Sequence, residues 1–301
     1  MSVDATSRAK LSRRSFVAAL AASGTLPALP SRAKRLPGIA CLDSAGASTL
    51  LALGVTRAAV ASLSGWAKWV GEPDMPEGVA DIGSSWEVSF EVLAALKPDL
   101  ILTSPFLAHL TPRLGDYGPV LSLDVYTADG GPVLPKAFAA TERLGGAIGE
   151  EGAATGFLNT AEAIFDDCAE RLVRLSVPPV AIISFLDERH VRVYSSPGLY
   201  DGVLTRLGVE NAWRRSANYW GYETLTVADL ARISDPQTQL IIMKPVAADI
   251  LSRLEQSPLW QALPFAAPER RIVIPPVLLF GMVSEATRFA GLFTEAMEQR
   301  A

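Results

Sequence analysis

The chain has 301 residues, 49% hydrophobic and 20% charged, so it can bury the cores of two ordinary domains. Its 27 basic and 32 acidic residues give a net charge of −5, and removing residues 1–33, with five basic residues and one acidic, leaves −9. This acidic balance argues against a nucleic-acid partner, because phosphate binding depends on clustered Lys and Arg.

The amino-terminal segment has the pattern of an export signal. The pair Arg13-Arg14 precedes a modest apolar run at 17–29, and small residues lie near Ala33, where a signal peptidase would cleave. The run of 13 residues is shorter than the ~20 that span a bilayer. Paired arginines favour the twin-arginine route, so we expect 1–33 to be a twin-arginine signal peptide and the protein to be periplasmic.

Cys41 and Cys168 are the only cysteines. We expect two buried free thiols, and the sequence leaves a disulfide between them open. A lipid anchor on Cys41 is a further alternative, although the segment ahead of it contains basic residues and lacks an apolar core.

A long apolar stripe occupies the middle of the chain. Nine apolar residues recur every three or four positions from Ala154 to Leu175, which is the spacing of one helix face. Acidic residues at its start and arginines near its end suit the helix dipole, and Pro178 stops the pattern. We expect a helix over 150–176, about 40 Å long, that joins two halves. A long surface helix within one domain is the alternative.

The segments on either side of this helix share one pattern. Each ends a short helix at a glycine, Gly54 or Gly208, where a left-handed residue is needed. Each then begins a second helix at a capping residue, Ser89 or Thr226. Each finally enters a short apolar run that is typical of a parallel strand covered on both faces, namely 100–102 and 240–243.

This repetition predicts an α/β protein with two Rossmann-like lobes, each with a mostly parallel sheet, joined by one long α-helix. The lobes are expected at 37–148 and 178–301, with the linking helix at 149–177. Because small ligands usually bind at domain interfaces, the cleft between the lobes is the expected binding site.

Motifs of catalysis are not found in the sequence. It has neither a glycine-rich phosphate loop after a strand nor a Gly-x-Ser-x-Gly elbow. His109 and His190 are far apart, so we expect no polyhistidine metal site, and 187–190 is interpreted as a charged hairpin turn. We therefore expect a protein that is not an enzyme. An exported hydrolase is the alternative from another class, and it would need a nucleophile–base pair.

Aromatic residues are concentrated in predicted loops, where they have no core of their own to fill. The stretch 218–222, Asn-Tyr-Trp-Gly-Tyr, combines flat rings with polar groups that can orient a ligand. The alternative is that Trp213 and Trp220 only seal the second lobe.

Seven short motifs occur in order along both halves of the chain: 50–54, 69–73, 96–98, 187–190, 211–213, 218–221 and 258–265. Together they resemble the periplasmic iron-siderophore binding proteins of ABC importers, and most closely the ferric-hydroxamate binders. The resemblance covers roughly 37–300. It implies two α/β lobes on one helix, with a shallow ligand cleft that closes very little.

By position, the resemblance implies ligand contacts at five residues: Trp69, Phe185, Asn218, Trp220 and Phe280. The hydroxamate binders use an arginine and a tyrosine against the iron-chelating oxygens, and these positions are Ser85 and Leu107 here, with Ser85 still expected among the ligand-binding residues. Losing that cation removes a charge-assisted contact worth about 1.5–3 kcal/mol. Three tryptophan positions of the family pocket also differ, at Ser44, Thr103 and Leu278. Four nearby aromatic residues are expected to rebuild the surface: Trp66, Trp86, Phe106 and Tyr222.

The resemblance further implies docking to a membrane permease through one carboxylate on each lobe. Glu91 occupies the first position, while the second is Ala228 with Asp229 beside it. Ordinary solvated helix carboxylates are the alternative for both.

The expected function is capture of a ferric siderophore, of hydroxamate type, and delivery to an ABC permease that is driven by its ATPase. The ligand carries the Fe(III), no covalently bound cofactor is expected, and the protein is expected to be a monomer. The alternative keeps the fold and changes the ligand to haem or cobalamin. His109, Tyr117 or Tyr222 would then be the candidate axial group for haem.

Overall fold

Two five-stranded sheets, one in each lobe, form the framework of the molecule. The structure is a computed structural model and describes residues 38–56, 58–247 and 249–300. The predicted signal peptide lies outside the described residues. Within those ranges, no helix has the length and apolar character needed to cross a membrane.

The first lobe contains seven strands: β1 Ile39–Cys41, β2 Ala58–Val60, β3 Ala80–Asp81, β4 Gly83–Ser84, β5 Glu87–Val88, β6 Leu100–Thr103 and β7 Val120–Ser122. Five of them form a parallel sheet in the order β3-β2-β1-β6-β7, and β4 pairs with β5 in a separate hairpin. Its α-helices are α1 Ser44–Ala52, α2 Trp66–Trp69, α3 Phe90–Leu96, α4 Thr111–Leu114 and α5 Val133–Ile148. Short 3₁₀ helices occupy Leu63–Gly65 and Pro105–Leu110.

The long helix α6 covers Glu151–Leu175, which confirms the predicted helix to within one residue at each end. It ends at Ser176, which adopts a left-handed conformation with φ 51°. Six residues of the predicted stripe are buried: Ala154, Leu158, Ala161, Phe165, Cys168 and Leu172. The stripe therefore does face the core, because its 3.6-residue period keeps these side chains on one side.

The second lobe contains five strands: β8 Val180–Phe185, β9 His190–Tyr194, β10 Tyr222–Thr226, β11 Gln239–Met243 and β12 Arg271–Ile274. Their order is β10-β9-β8-β11-β12, with β8, β11 and β12 parallel and the β8-β9-β10 pairings antiparallel. Its helices are α7 Leu199–Arg206, α8 Ile250–Glu255, α9 Pro258–Gln261 and α10 Val283–Glu298, with 3₁₀ helices at Val227–Arg232 and Pro268–Arg270.

The pattern shared by the two lobes has a clear structural counterpart. Gly54 and Gly208 follow α1 and α7 with φ of 77° and 71°. The Ser89 hydroxyl accepts a hydrogen bond from the Val92 amide and caps α3. Thr226 caps a 3₁₀ helix, so the prediction of an α-helix beginning there is wrong. Strands β6 and β11 each have parallel neighbours on both sides, as predicted.

One hydrophobic core extends through both lobes. It joins Cys41 and Leu102 of the first sheet to Ile182 and Ile241 of the second, and α5, α6 and α10 contribute to it. Smaller cores lie on the other face of each sheet. Both cysteines are buried with free thiols, in agreement with the expectation. The domain limits at 37–148, 149–177 and 178–301 stay a prediction, since the two lobes share this core.

Candidate ligand-binding site

Aromatic rings of both lobes meet in one group, which we call the aromatic cluster: Trp86, Phe106 and Tyr126 of the first lobe, and Tyr219, Trp220, Tyr222 and Phe280 of the second. Phe106 and Trp220 join the two sides, with ring centroids 6.1 Å apart. Tyr126 stacks on Trp220 at 6.2 Å. Five further ring pairs extend the cluster: Trp86–Phe106 at 4.7 Å, Tyr126–Phe280 at 5.5 Å, Tyr219–Trp220 at 4.5 Å, Trp220–Phe280 at 5.1 Å and Tyr222–Phe280 at 6.4 Å.

The cluster keeps substantial accessible surface although its rings touch one another. Trp86 is 78% exposed, Phe106 42% and Phe280 40%, whereas the core ring of Phe165 is fully buried. An exposed apolar patch formed by two lobes is typical of a ligand-binding surface. Two hollows elsewhere on the described surface are each confined to a single lobe, lined by residues within 196–216 and 111–120.

A pair of serines holds the turn that presents Trp86. The Ser62 hydroxyl accepts a hydrogen bond from the Ser85 amide at 2.9 Å and lies 3.0 Å from the Ser85 hydroxyl. The Trp86 amide donates to Ser84 Oγ at 3.0 Å. Ser85 therefore fixes the turn, and its hydroxyl already has a partner within the protein.

The loop that carries Trp220 is fixed by Asn218 and by a close backbone contact. Asn218 Oδ1 accepts a hydrogen bond from the Trp220 amide at 3.0 Å, and its carbonyl accepts from the Gly221 amide at 2.8 Å. Gly221 has φ 82°, and a Cβ atom there would lie 2.1 Å from Gly198 Cα. Only glycine fits this position, because both the conformation and the space exclude a side chain.

Tyr126 belongs to the cluster although the sequence analysis did not single it out. Its hydroxyl lies 3.0 Å from the Gly281 carbonyl and 3.1 Å from that of Leu279, so it links the first lobe to the loop that carries Phe280. Burial raises the pKa of Tyr126 well above its usual value, which keeps the hydroxyl protonated as a donor. An aromatic residue a few positions after the apolar pair Val120-Leu121 is the signal that could have identified it.

Arg192 is the other residue that sequence reasoning missed. Its guanidinium carbon lies 5.0 Å from the centre of the Tyr222 ring, so a cation adjoins the cluster. An arginine within the otherwise apolar stretch 191–194 is the signal in the sequence that could have identified it.

The structure brings together Trp86, Phe106, Trp220, Tyr222 and Phe280, but it places other predicted contacts elsewhere. Phe185 is buried and packs 6.3 Å from Trp260 in the core of the second lobe, so it has little surface to offer a ligand. Trp69 is half exposed under Lys68, and no described ring of the cluster contacts it. Both remain predictions as ligand contacts.

Two tryptophans are structural. Trp66 is buried and its indole nitrogen donates to the Pro73 carbonyl at 2.7 Å, so the expectation that it rebuilds the ligand surface is wrong. Trp213 is also buried, and its indole nitrogen donates to Glu223 at 3.1 Å. For Trp213, the alternative of sealing the second lobe is the correct one.

The candidate axial groups for haem are separated from one another. His109 is exposed on the 3₁₀ helix after β6, and Tyr117 packs on Phe90, 5.4 Å away, within the first lobe. Only Tyr222 lies in the aromatic cluster. Across the described residues, no group of three His, Cys, Asp or Glu side chains is arranged to hold a metal ion.

The two candidate docking carboxylates differ in their environment. Glu91 is exposed in the first turn of α3. Asp229 accepts hydrogen bonds from the amide and hydroxyl of Thr226 and pairs with Arg232 at 2.7 Å. These hydrogen bonds, followed by the arginine, lower the pKa of Asp229. Asp229 therefore already has the role of a helix cap.

The segment 187–190 is a hairpin turn between β8 and β9, as predicted. Asp187 Oδ1 accepts hydrogen bonds from the amides of Arg189 and His190, and the His190 ring lies 2.9 Å from Oδ2. These interactions lower the pKa of Asp187, with the His190 ring as the largest cause. The turn is exposed, which fits a structural role.

The model of the family described as "Periplasmic binding protein" matches residues 39–278, which is most of the chain and includes both sheets. This chain belongs to the periplasmic binding protein family. Its members bind solutes for transport and are not enzymes, in agreement with the sequence-based prediction.

Two relatives of this periplasmic binding protein align over most of its length. The iron(3+)-hydroxamate-binding protein FhuD of Escherichia coli is 26% identical over 87% of this chain and 88% of its own. The siderophore-binding protein FhuD of Vibrio cholerae, solved with Fe³⁺-Desferal bound, is 26% identical, with a TM-score of 0.81 over 88% of this chain and 99% of its own.

A more distant structure shares the fold alone. FeuA of Bacillus subtilis, solved with ferri-bacillibactin, is 17% identical, with a TM-score of 0.69 over 87% of this chain and 92% of its own. The predicted architecture of two lobes joined by one long helix is therefore confirmed.

Proposed function

We propose that this protein is the substrate-binding component of an ABC importer, and that it captures a ferric siderophore with hydroxamate groups in the cleft between its lobes. The observation that carries the proposal is the aromatic cluster, to which both lobes contribute exposed rings. The similarity to an iron(3+)-hydroxamate-binding protein and to a structure with Fe³⁺-Desferal supports this ligand class. The ligand brings its own Fe(III).

The chemistry of the cluster suits such a ligand. A hydroxamate complex surrounds the iron with oxygens and presents hydrocarbon on its outside, which flat rings can bury. The Tyr and Trp members add hydroxyl and indole N–H donors beside the apolar faces. Proposed contacts are the five clustered residues Trp86, Phe106, Trp220, Tyr222 and Phe280, with Ser85 and Asn218 holding the turns that present Trp86 and Trp220.

The test is a titration of the purified protein, followed by tryptophan fluorescence, with ferric desferrioxamine B, a ferric catecholate, haem and cobalamin. We expect saturable quenching by ferric desferrioxamine B at one complex per protein. Saturable quenching by haem or cobalamin without any by the ferric hydroxamate would overturn the proposal in favour of the alternative ligand.

We further propose delivery to an inner-membrane permease through Glu91, since it is the exposed member of the two candidate carboxylates. Glu91→Ala should reduce growth on ferric desferrioxamine B as iron source while the dissociation constant of the purified protein stays unchanged. Asp229→Ala is the comparison variant, and we expect it to lower thermal stability because it removes a cap. Equal growth of Glu91→Ala and the unchanged protein would exclude Glu91 as the contact.

The proposed cellular route is export by the twin-arginine pathway, followed by action in the periplasm as a monomer. Changing both Arg13 and Arg14 to Lys should leave the precursor in the cytoplasm, because that route reads the arginine pair. Cell fractionation measures this, and export that continues through the general secretion route would contradict it.

A further inference from the structure

We propose that Arg192 is the anion-recognising group of the cleft, and that it binds an anionic oxygen of the ligand beside Tyr222. The inference rests on the proposed function, because it assumes that the ligand occupies the aromatic cluster. It adds what the cluster lacks, namely a cation that can orient an oxygen-rich complex.

The register of the second sheet places Arg192 on the cleft side. Arg192 pairs with Ser184 of β8 on one side and with Thr224 of β10 on the other. Because side chains alternate along a strand, Arg192 shares its face with Tyr194, and Tyr222 lies opposite Tyr194 on that same face. Tyr222 on this face contacts the Phe280 ring, so the face adjoins the aromatic cluster.

The guanidinium of Arg192 is partly desolvated and lacks an anionic partner. Its Nε is buried without a hydrogen-bond partner, and no described carboxylate lies within ion-pair distance of the side chain. By contrast, the buried guanidinium of Arg271 pairs with Glu255 at 2.8 Å. A buried nitrogen of a cation without a hydrogen-bond partner is costly, so Arg192 Nε calls for a partner that the described side chains do not supply.

The surroundings of Arg192 are those of a binding group. The Tyr222 ring lies against the guanidinium, and the hydroxyls of Ser184 and Tyr194, which are 2.7 Å apart, line the same face. Burial raises the pKa of Tyr194, and the positive charge of Arg192 lowers it. The guanidinium therefore lies close enough to interact with the Tyr194 hydroxyl. A planar fork supported by an aromatic face is well suited to oxygen anions.

The ligand chemistry follows from these groups. An arginine fork binds an oxygen that carries full or partial negative charge, which can be an iron-bound hydroxamate oxygen or a carboxylate at the edge of the complex. Two derivatives of ferric desferrioxamine B separate these sources. Acetylation of its free amine gives a neutral complex, and succinylation of the same amine gives a complex with one free carboxylate.

The experiment compares Arg192→Met and Arg192→Lys with the unchanged protein, using both derivatives and tryptophan fluorescence. We expect Arg192→Met to raise the dissociation constant by about 10- to 100-fold, the range for a hydrogen bond to a charged group. Arg192→Lys should recover part of the loss, because it keeps the charge but not the planar fork. An equal loss of affinity for both derivatives would show that Arg192 binds a hydroxamate oxygen. A loss of affinity for the succinylated derivative alone would show that it binds the carboxylate.

Arg189→Met is the matched control, because it removes the same charge from the exposed turn of the same hairpin. We expect it to leave both dissociation constants unchanged, and thermal melting verifies that every variant is folded. Unchanged affinity of folded Arg192→Met for both derivatives, or the same loss in Arg189→Met, would overturn the inference while the proposed function stands. Failure of the unchanged protein to bind any ferric hydroxamate would instead overturn the proposed function.

Discussion

At the level of single residues, Trp213 and Trp220 show how position decides the role of one residue type. Both come from the aromatic-rich stretch of the second lobe. Trp213 is 3% exposed and hydrogen bonded to Glu223, whereas Trp220 contacts rings of both lobes at the cleft. The first side chain stabilises the fold, and the second is a proposed ligand contact.

Replacing Trp220 by Ala should weaken binding of ferric desferrioxamine B by about 1–3 kcal/mol, because it removes the ring that joins both sides of the cluster. Fluorescence titration measures the affinity, and thermal melting the stability. The control is Trp213→Ala, which should lower the free energy of unfolding by about 3–5 kcal/mol. A large loss of stability in Trp220→Ala with unchanged affinity would show that Trp220 is a core residue.

At the level of elements, α6 owes its position to one buried face. Phe165 on that face is fully buried and packs 6.5 Å from Phe138 of α5, while Val173 on the same helix is 76% exposed. We expect Phe165→Ala to cost about 3–5 kcal/mol of unfolding free energy. Val173→Ala should stay within about 0.5 kcal/mol. Urea denaturation measures both, and similar costs for the two variants would contradict a one-sided helix.

The loop at 218–222 depends on a backbone contact that only glycine permits. Gly221→Ala should weaken ligand binding and stability together, because the new Cβ would displace the loop from Gly198. Gly208 is the matched control, since it also has positive φ but no atom within 4 Å of an added Cβ. Gly208→Ala should cost about 1–2 kcal/mol from conformation alone and leave affinity unchanged. Equal effects of the two substitutions would show that the contact with Gly198 is unimportant.

At the level of the whole molecule, a buried carboxylate joins the lobes. Glu285 at the start of α10 accepts hydrogen bonds from Ser48 of α1 at 2.5 Å and from the Met282 amide at 2.7 Å. Burial raises the pKa of Glu285, and the nearby Asp43 raises it further. Two buried tyrosines, Tyr126 and Tyr200, lie close enough for the Glu285 charge to affect their pKa values. The junction therefore raises the pKa of Glu285 on balance, although the hydrogen bonds from Ser48 and Met282 oppose the shift.

This predicts a dependence of stability on pH. Because the pKa of Glu285 is raised on folding, its contribution is fully present below the ordinary value of about 4.3 and is lost as pH rises through the raised value. Glu285→Gln keeps a neutral side chain and should lose less stability as the pH rises above 4.5. The pKa of Asp43 is also raised on folding, so part of the pH dependence of stability remains in the Glu285→Gln variant. Urea denaturation at several pH values tests this, and identical slopes in both proteins would contradict it.

Much of the fold could be predicted because it depends on local order in the sequence. The stripe of α6, the glycines after α1 and α7 and the apolar strands β6 and β11 are set by periodicity and backbone preference within a few residues. The predicted cluster members Trp86, Phe106, Trp220, Tyr222 and Phe280 came from aromatic residues in loops and from the family resemblance, and the structure does bring these rings together.

The sequence by itself thus determined the lobes, the long helix and the concentration of aromatic residues around 218–222, because these features follow from short-range patterns. Only the tertiary structure decided that Trp66 and Phe185 are buried, that Tyr126 bridges the lobes and that Arg192 faces Tyr222 without a counter-charge. The physical reason is that burial and pairing depend on contacts between residues distant in the chain, such as Tyr126 with Gly281, which no local pattern encodes.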